Sequence, residues 1–212
     1  DNDGGASSGD DDTNLACGVG ATTGNATGAT AIGNQASSTG NDSLAVGEFA
    51  SASGARATAV GRSADASGDF GTAVGVFATA RATGSIAVGF TAQAEAVESI
   101  AIGASSEASG VGSTALGEDS DANGNGSIAI GANASDLVAA GATKTNGNIA
   151  IGSDSDVVAG IGGSGTPTLA NGGNSVAIGT AAQATGRSAI AIGGIGTGAT
   201  SRATQASAPG AI

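Results

Sequence analysis

Serine and aspartate are plentiful in this chain of 212 residues, and either can serve nucleophilic or metal-assisted chemistry. A serine nucleophile needs a base beside it, and the sequence holds no histidine. The acids Asp65, Glu107, Asp119 and Asp121 are spread along the chain rather than gathered in a ligand set. A calcium-binding roll would repeat Gly-Gly-x-Gly-x-Asp every nine residues or so, and neither that motif nor that period is present. With no histidine and one cysteine, the common zinc sites cannot be built. Cys17 stands in Leu15-Ala16-Cys17-Gly18, where sister segments carry Val or Ile, and reads as a small buried hydrophobe. The residues therefore point to a non-enzymatic protein with no cofactor and no metal.

Composition narrows the class further. There are 40 Gly and 4 Phe, no Trp, Tyr, Met or His, and a net charge of −12. Such a chain lacks the basic stripe that displaces counterions from phosphates, so nucleic acid is excluded as a partner. Large aliphatic and aromatic residues number only 35 of 212, a share that together with the charge would ordinarily mean disorder. Only regular repetition argues against that. No stretch is long and apolar enough to span a membrane as a helix, and no leader peptide is visible. Residues 1–13 read as an acidic, flexible lead-in, and the chain reads as an excerpt from a longer protein.

The repetition is explicit. Ile86-Ala87-Val88-Gly89 returns as Ile100-Ala101-Ile102-Gly103, fourteen residues later. The same tetrad ends at Gly33, Gly47, Gly61, Gly75, Gly89, Gly103, Gly117 and Gly131, always in steps of 14, and again at Gly152, Gly179 and Gly193. With the variant at Gly18 there are twelve copies, and alanine is second in all of them. Small residues then alternate with polar ones, as in Ala64-Asp65-Ala66 or Ala92-Gln93-Ala94. Alternation of period two is a strand signal. Fourteen residues hold two short strands and two tight turns, which is one coil of a parallel β-solenoid.

Placing the Ile/Val pair inside the coil leaves the alanine outside it. Water would tolerate many residues there, so an unbroken column of alanine predicts a solid partner, a second copy of the chain. On that reading Ala31, Ala45, Ala59, Ala73, Ala87, Ala101, Ala115, Ala129, Ala150, Ala177 and Ala191 form an interface between copies. The polar outer positions of the second strand, Ser37, Ser51, Asp65, Thr79, Gln93, Glu107 and Asp121, face water.

The tetrads resemble the head repeats of trimeric autotransporter adhesins, the YadA-like family of Gram-negative surface proteins. Asn174-Ser175-Val176-Ala177-Ile178-Gly179 matches the family motif, and Ser99-Ile100-Ala101-Ile102-Gly103 and Ser127-Ile128-Ala129-Ile130-Gly131 are near matches. The resemblance covers about residues 14–198. It implies an all-β, left-handed parallel β-roll assembled as a homotrimer. It also implies display on the cell surface, outer-membrane anchorage of the full-length protein, and a role in virulence through attachment to host cells or matrix. Collagen, fibronectin and laminin are the ligands it suggests. The family's neck, coiled-coil stalk and anchor barrel do not follow Gly193, and residues 199–212 read as an irregular tail without heptads.

Two steps exceed fourteen, placing insertions near 136–147 and 156–173. Insertions in a solenoid emerge as loops, and loops carry function, so Lys144, Thr145, Asn146, Thr166 and Pro167 are the candidate binding residues. The alternative is that they are spacers, or that the longer one is a degenerate coil. Phe49, Phe77 and Phe90 are either an exposed rim or covers for coil edges. Arg56, Arg62 and Arg81 form a basic patch or serve solubility. Thr30, Thr58, Thr72 and Thr114 share a column with Ile and Leu, which argues against a threonine ladder for ice. Two functions remain: an adhesin head, or a rigid spacer and self-association module projecting another binding domain.

Overall fold

A computed structural model describes residues 13–136, 146–153, 168–193 and 204–212. It divides into two compact units, residues 1–105 and 106–212. Each consists of short parallel strands separated by tight turns.

In the first unit the tetrad strands Leu15–Cys17, Thr30–Ile32, Leu44–Val46, Thr58–Val60, Thr72–Val74, Ile86–Val88 and Ile100–Ile102 pair in that order. The register is in phase throughout, alanine opposite alanine. A second sheet is made by Ser37–Ser38, Ser51–Ala52, Asp65–Ala66, Thr79–Ala80 and Gln93–Ala94. In the second unit Thr114–Leu116, Ile128–Ile130, Ile149–Ile151, Val176–Ile178 and Ile190–Ile192 form the tetrad sheet. Glu107–Ala108 and Asp121–Ala122 pair beside it, and Ser135 bridges Asp121 to Leu169–Ala170, which continues into Gln183–Ala184 and Gln205–Ala206.

Each tetrad glycine is required by its turn. Gly33, Gly47, Gly61, Gly75 and Gly89 have φ between 131° and 142°. A Cβ at Gly75 would collide with the Gly89 carbonyl oxygen of the next coil. Only glycine gives both that conformation and that approach.

The interior of the coil reverses the expected phase. Ala31, Ala45, Ala59, Ala73, Ala87, Ala101, Ala115, Ala129, Ala150, Ala177 and Ala191 point inward and are at most 1% exposed within the single chain. The alanines and serines of the second strand meet them, as Ala64, Ala66, Ala78 and Ala80 do. The Ile and Val flanks point outward: Ile32, Ile102, Leu116 and Ile178 remain 37–41% exposed. The physical reason is width. Sheets that interdigitate large side chains stand roughly 10 Å apart, whereas two strands joined by a two-residue turn leave room for little beyond methyl groups. The alanines are therefore the packed interior of each coil and cannot be the contact between copies. Thr30, Thr58, Thr72 and Thr114 move outward with the aliphatics. They alternate with Leu44, Ile86 and Ile100, so they form no unbroken ladder. Cys17 shares this outer column and is exposed, not buried.

The tail is also more regular than expected. Gln205–Ala206 pairs with Gln183–Ala184, and the Ile190 amide donates to the Ala211 carbonyl at 2.7 Å. Residues 204–212 thus continue the solenoid.

Candidate functional site

Every coil has one inner and four outer surfaces: the aliphatic face of the tetrad sheet, the polar face of the second sheet, and the turns along two margins. The first margin follows the tetrad glycine. The second precedes the tetrad.

The tetrad face carries two columns of side chains. In the first unit these are Leu44, Thr58, Thr72, Ile86 and Ile100, beside Val46, Val60, Val74, Val88 and Ile102, all half-buried or exposed. A contiguous apolar surface of this kind on a single chain marks a contact site.

Insertions leave from opposite margins. The first lies between Asp136 on the second sheet and Ile149 on the tetrad sheet, and so sits on the second margin. The second lies between Gly152 and Leu169, on the first margin. A third, which the fourteen-residue count missed, separates Gly193 from Gln205. Its signal was available: Gln205-Ala206-Ser207-Ala208-Pro209-Gly210-Ala211-Ile212 parallels Gln183-Ala184-Thr185-Gly186-Arg187-Ser188-Ala189-Ile190. The longer insertion is not a degenerate coil, because Ile149–Ile151 pairs directly with Val176–Ile178. Of the candidate loop residues, Lys144, Thr145, Thr166 and Pro167 lie outside the described residues. Asn146 lies at the foot of its loop, where its side-chain oxygen accepts the Asn125 amide at 3.1 Å.

Side chains close the base of the first two loops. In an uninterrupted coil the Ser109 and Gly110 amides donate to the Ala122 carbonyl. One coil later, where the chain departs, the buried Asp136 carboxylate accepts the Asn123 and Gly124 amides at 2.6 and 2.7 Å. Asn148 Oδ1 accepts the Gly173 and Ser175 amides at 3.0 and 3.3 Å. Thr168 Oγ1 lies 2.8 Å from the Ser153 carbonyl oxygen, joining the two ends of the second insertion.

Phe49, Phe77 and Phe90 protrude from the first margin and Phe70 from the second, each 42–57% exposed. They are a rim rather than covers. Phe49, Phe70 and Phe77 have φ of 57–60°, a conformation that costs a bulky residue roughly 1–3 kcal/mol. Arg56 stacks over Phe70 at 5.5 Å and Arg62 over Phe77 at 5.1 Å, while Arg81 pairs with Glu95. The three arginines are thus engaged separately and form no common patch.

On the polar face Glu107 and Asp121 stand directly opposite each other in neighbouring strands. Burial, then the Glu107, Asp136 and Asp119 carboxylates, push Asp121 up to about 7. Asp65 is raised by burial, with Arg81 opposing. Among the described residues no group of three acidic, histidine or cysteine side chains converges on a metal position.

This geometry is an in-register stack of tetrad strands that keeps its phase across the first two insertions. The family model for the YadA head domain repeat matches residues 25–50, 52–78, 80–106, 108–134 and 170–194. The chain belongs to the YadA head-repeat family. The match breaks off between 134 and 170, where the first two insertions of this head stand. Comparison with curated proteins returned no match. Family and fold together make this an adhesin-type head of the trimeric autotransporter class.

Proposed function

We propose that this head is the surface-displayed, adhesive end of a trimeric autotransporter. In it, three left-handed rolls pack with their aliphatic tetrad faces on a common axis and attach the cell to host matrix or host cells. The observation that carries the assembly is the apolar outer face. A solvent-facing column would not repeat Ile, Val and Leu in coil after coil. Covering it contributes about 1 kcal/mol or more for each half-exposed aliphatic side chain. The alanine column, which first suggested a partner, acts instead by keeping each coil thin.

Two variants separate these roles. Ala101→Glu buries a carboxylate inside the coil with no partner, and the β-sheet signal in circular dichroism is expected to be lost. Ile86→Ser, Ile100→Ser and Ile102→Ser together leave the interior untouched. Light scattering is expected to show their mass falling from three chains to one. A stable, folded monomer for the unsubstituted head overturns the trimer.

Attachment is assigned to surfaces repeated on all three copies, where weak single contacts gain from multivalency. The insertions, with Lys144, Thr145, Asn146, Thr166 and Pro167, are the proposed source of specificity. Shortening both to the fourteen-residue spacing is expected to leave the trimer assembled and to lower binding to a matrix-protein panel at least tenfold. Undiminished binding moves the contact to the polar second-sheet face. Absence of binding by the intact head favours the spacer role.

A further inference from the structure

All four aromatic residues of the chain lie between residues 49 and 90, and none enters the interior. Two of them frame one strand: Phe70 precedes Thr72–Val74 on the second margin, and Phe77 follows it on the first. The preceding strand, Thr58–Val60, has the same sequence and is framed likewise by Arg56 and Arg62. The two strands pair in register, Thr58 with Thr72 and Val60 with Val74. Each arginine consequently stacks on the phenylalanine of its own margin, Arg56 on Phe70 and Arg62 on Phe77. One stretch of the apolar face is therefore bracketed on both sides by an arginine–aromatic pair. It is the stretch where threonine replaces the Leu or Ile of the neighbouring coils, so the face itself is least apolar there.

Within one chain these pairs gain little. Phe70 and Phe77 are 53% and 42% exposed, and their backbones hold a conformation better suited to the Gln35, Asp42, Ser63 or Glu98 found at equivalent turns. Bulky residues held in that conformation and left about half exposed, with a surface arginine stacked on each, point to a further contact outside the chain.

We propose that the two margins dock on each other between copies. The Arg62–Phe77 margin of one copy meets the Arg56–Phe70 margin of the next at the same height, forming three mixed cation–π seams around the aliphatic core. The inference rests on the threefold assembly proposed above and adds which margins touch. A second copy is the occupant for three reasons. The margins are continuous with the tetrad face, Val74 being followed by Gly75, Val76 and Phe77. Each copy offers one margin of each kind, so a head-to-tail ring of three leaves none unmatched. Each margin also carries both signs of charge, Glu48 with Arg62 on the first and Asp42 with Arg56 at 3.7 Å on the second. Closure removes the guanidinium–ring stacks from water, where such contacts strengthen.

The test is a disulfide between copies. In a Cys17→Ser background, Phe70→Cys and Phe77→Cys are introduced singly and together, and mildly oxidised. The two positions lie on opposite margins of one coil and are too far apart to cross-link within a copy. The double variant is expected to give covalent trimers on a non-reducing gel, and each single variant only monomers. Separately, Phe70→Ser with Phe77→Ser is expected to speed subunit exchange at least tenfold with unchanged circular dichroism. A trimer by light scattering whose double variant gives no covalent trimer overturns the seam and leaves the threefold reading standing, as does efficient cross-linking by either single variant. A monomeric unsubstituted head overturns both. Normal exchange with lost binding to a matrix-protein panel reassigns the rings to a ligand and overturns the seam.

Discussion

From Thr30 to Ile102 the first unit never leaves the fourteen-residue path, and an unbroken backbone ladder joins each coil to the next, with side chains such as Asp69, which accepts the Ala55 amide at 2.9 Å, only adding to it. The second unit leaves it three times, and at the first two departures a side chain takes over: Asp136 and Asn148 around the first loop, Thr168 at the second. The difference shows what a solenoid with so thin an interior requires. Methyl-on-methyl packing supplies little burial per coil, so continuity of the hydrogen-bond ladder carries more of the stability than in an ordinary core. An interruption is tolerated where the orphaned amides find a new acceptor.

Breaking the uninterrupted unit is expected to have the larger effect. Gly75→Ala places a methyl on the Gly89 carbonyl oxygen at a backbone φ of 137°. No side chain stands between to give way, and the ladder would have to part. The expected loss is about 3–5 kcal/mol, measured by denaturant unfolding of the intact head. A loss below about 1 kcal/mol would show that neighbouring coils can slide apart cheaply.

In the interrupted unit the matching change is Asp136→Ala. Two buried amides lose a charged acceptor, and about 2–4 kcal/mol is expected to go with it. Asp136→Asn keeps one acceptor oxygen and is expected to lose roughly half as much. Hydrogen exchange of the Asn123 and Gly124 amides reads the effect locally. If both remain protected in Asp136→Ala, the carboxylate is not what closes the loop.

How far these features could be read from the sequence depends on the kind of information each needs. Period, strand positions and register follow from the tetrads alone, because Ala87 and Ala101 must stack if their glycines do. The phase does not. Alternation states that a strand has two faces, and it is the width of the coil that decides which is inner. Ranking Ile and Val as the more buried type chose wrongly, because no side chain larger than a methyl fits between strands so close. Asp136 was legible in retrospect: it occupies the place held by Ala66, Ala80, Ala94, Ala108 and Ala122 in earlier coils. The pairing of Arg56 with Phe70 and of Arg62 with Phe77 joins residues fourteen or fifteen apart, and it needed the turns to be in place before it could be seen.

The smallest expected effect concerns charge on the outer column of the second sheet. In the first unit that column runs Ser37, Ser51, Asp65, Thr79, Gln93, with one acid. In the second it sets Glu107 directly against Asp121, and like charges opposed in this way destabilise a sheet. Burial and the three neighbouring carboxylates hold Asp121 at about 7 in the folded head, against roughly 3.9 in an unfolded chain. The folded state therefore keeps a proton that the unfolded state has released, and stability from this group falls as pH rises between about 4 and 7. Asp121→Asn carries no charge in either state and removes that slope. After allowing for solvent screening, a gain of about 1 kcal/mol is expected above neutral pH, a rise in Tm of roughly 2–4 °C. The gain should shrink to nothing near pH 4, where the wild-type carboxyl is protonated on folding. Melting curves of both proteins across this range check the sign as well as the size. Parallel curves from pH 4 to pH 8 would mean that Asp121 stays ionised and that the opposed acids are relieved by solvent instead.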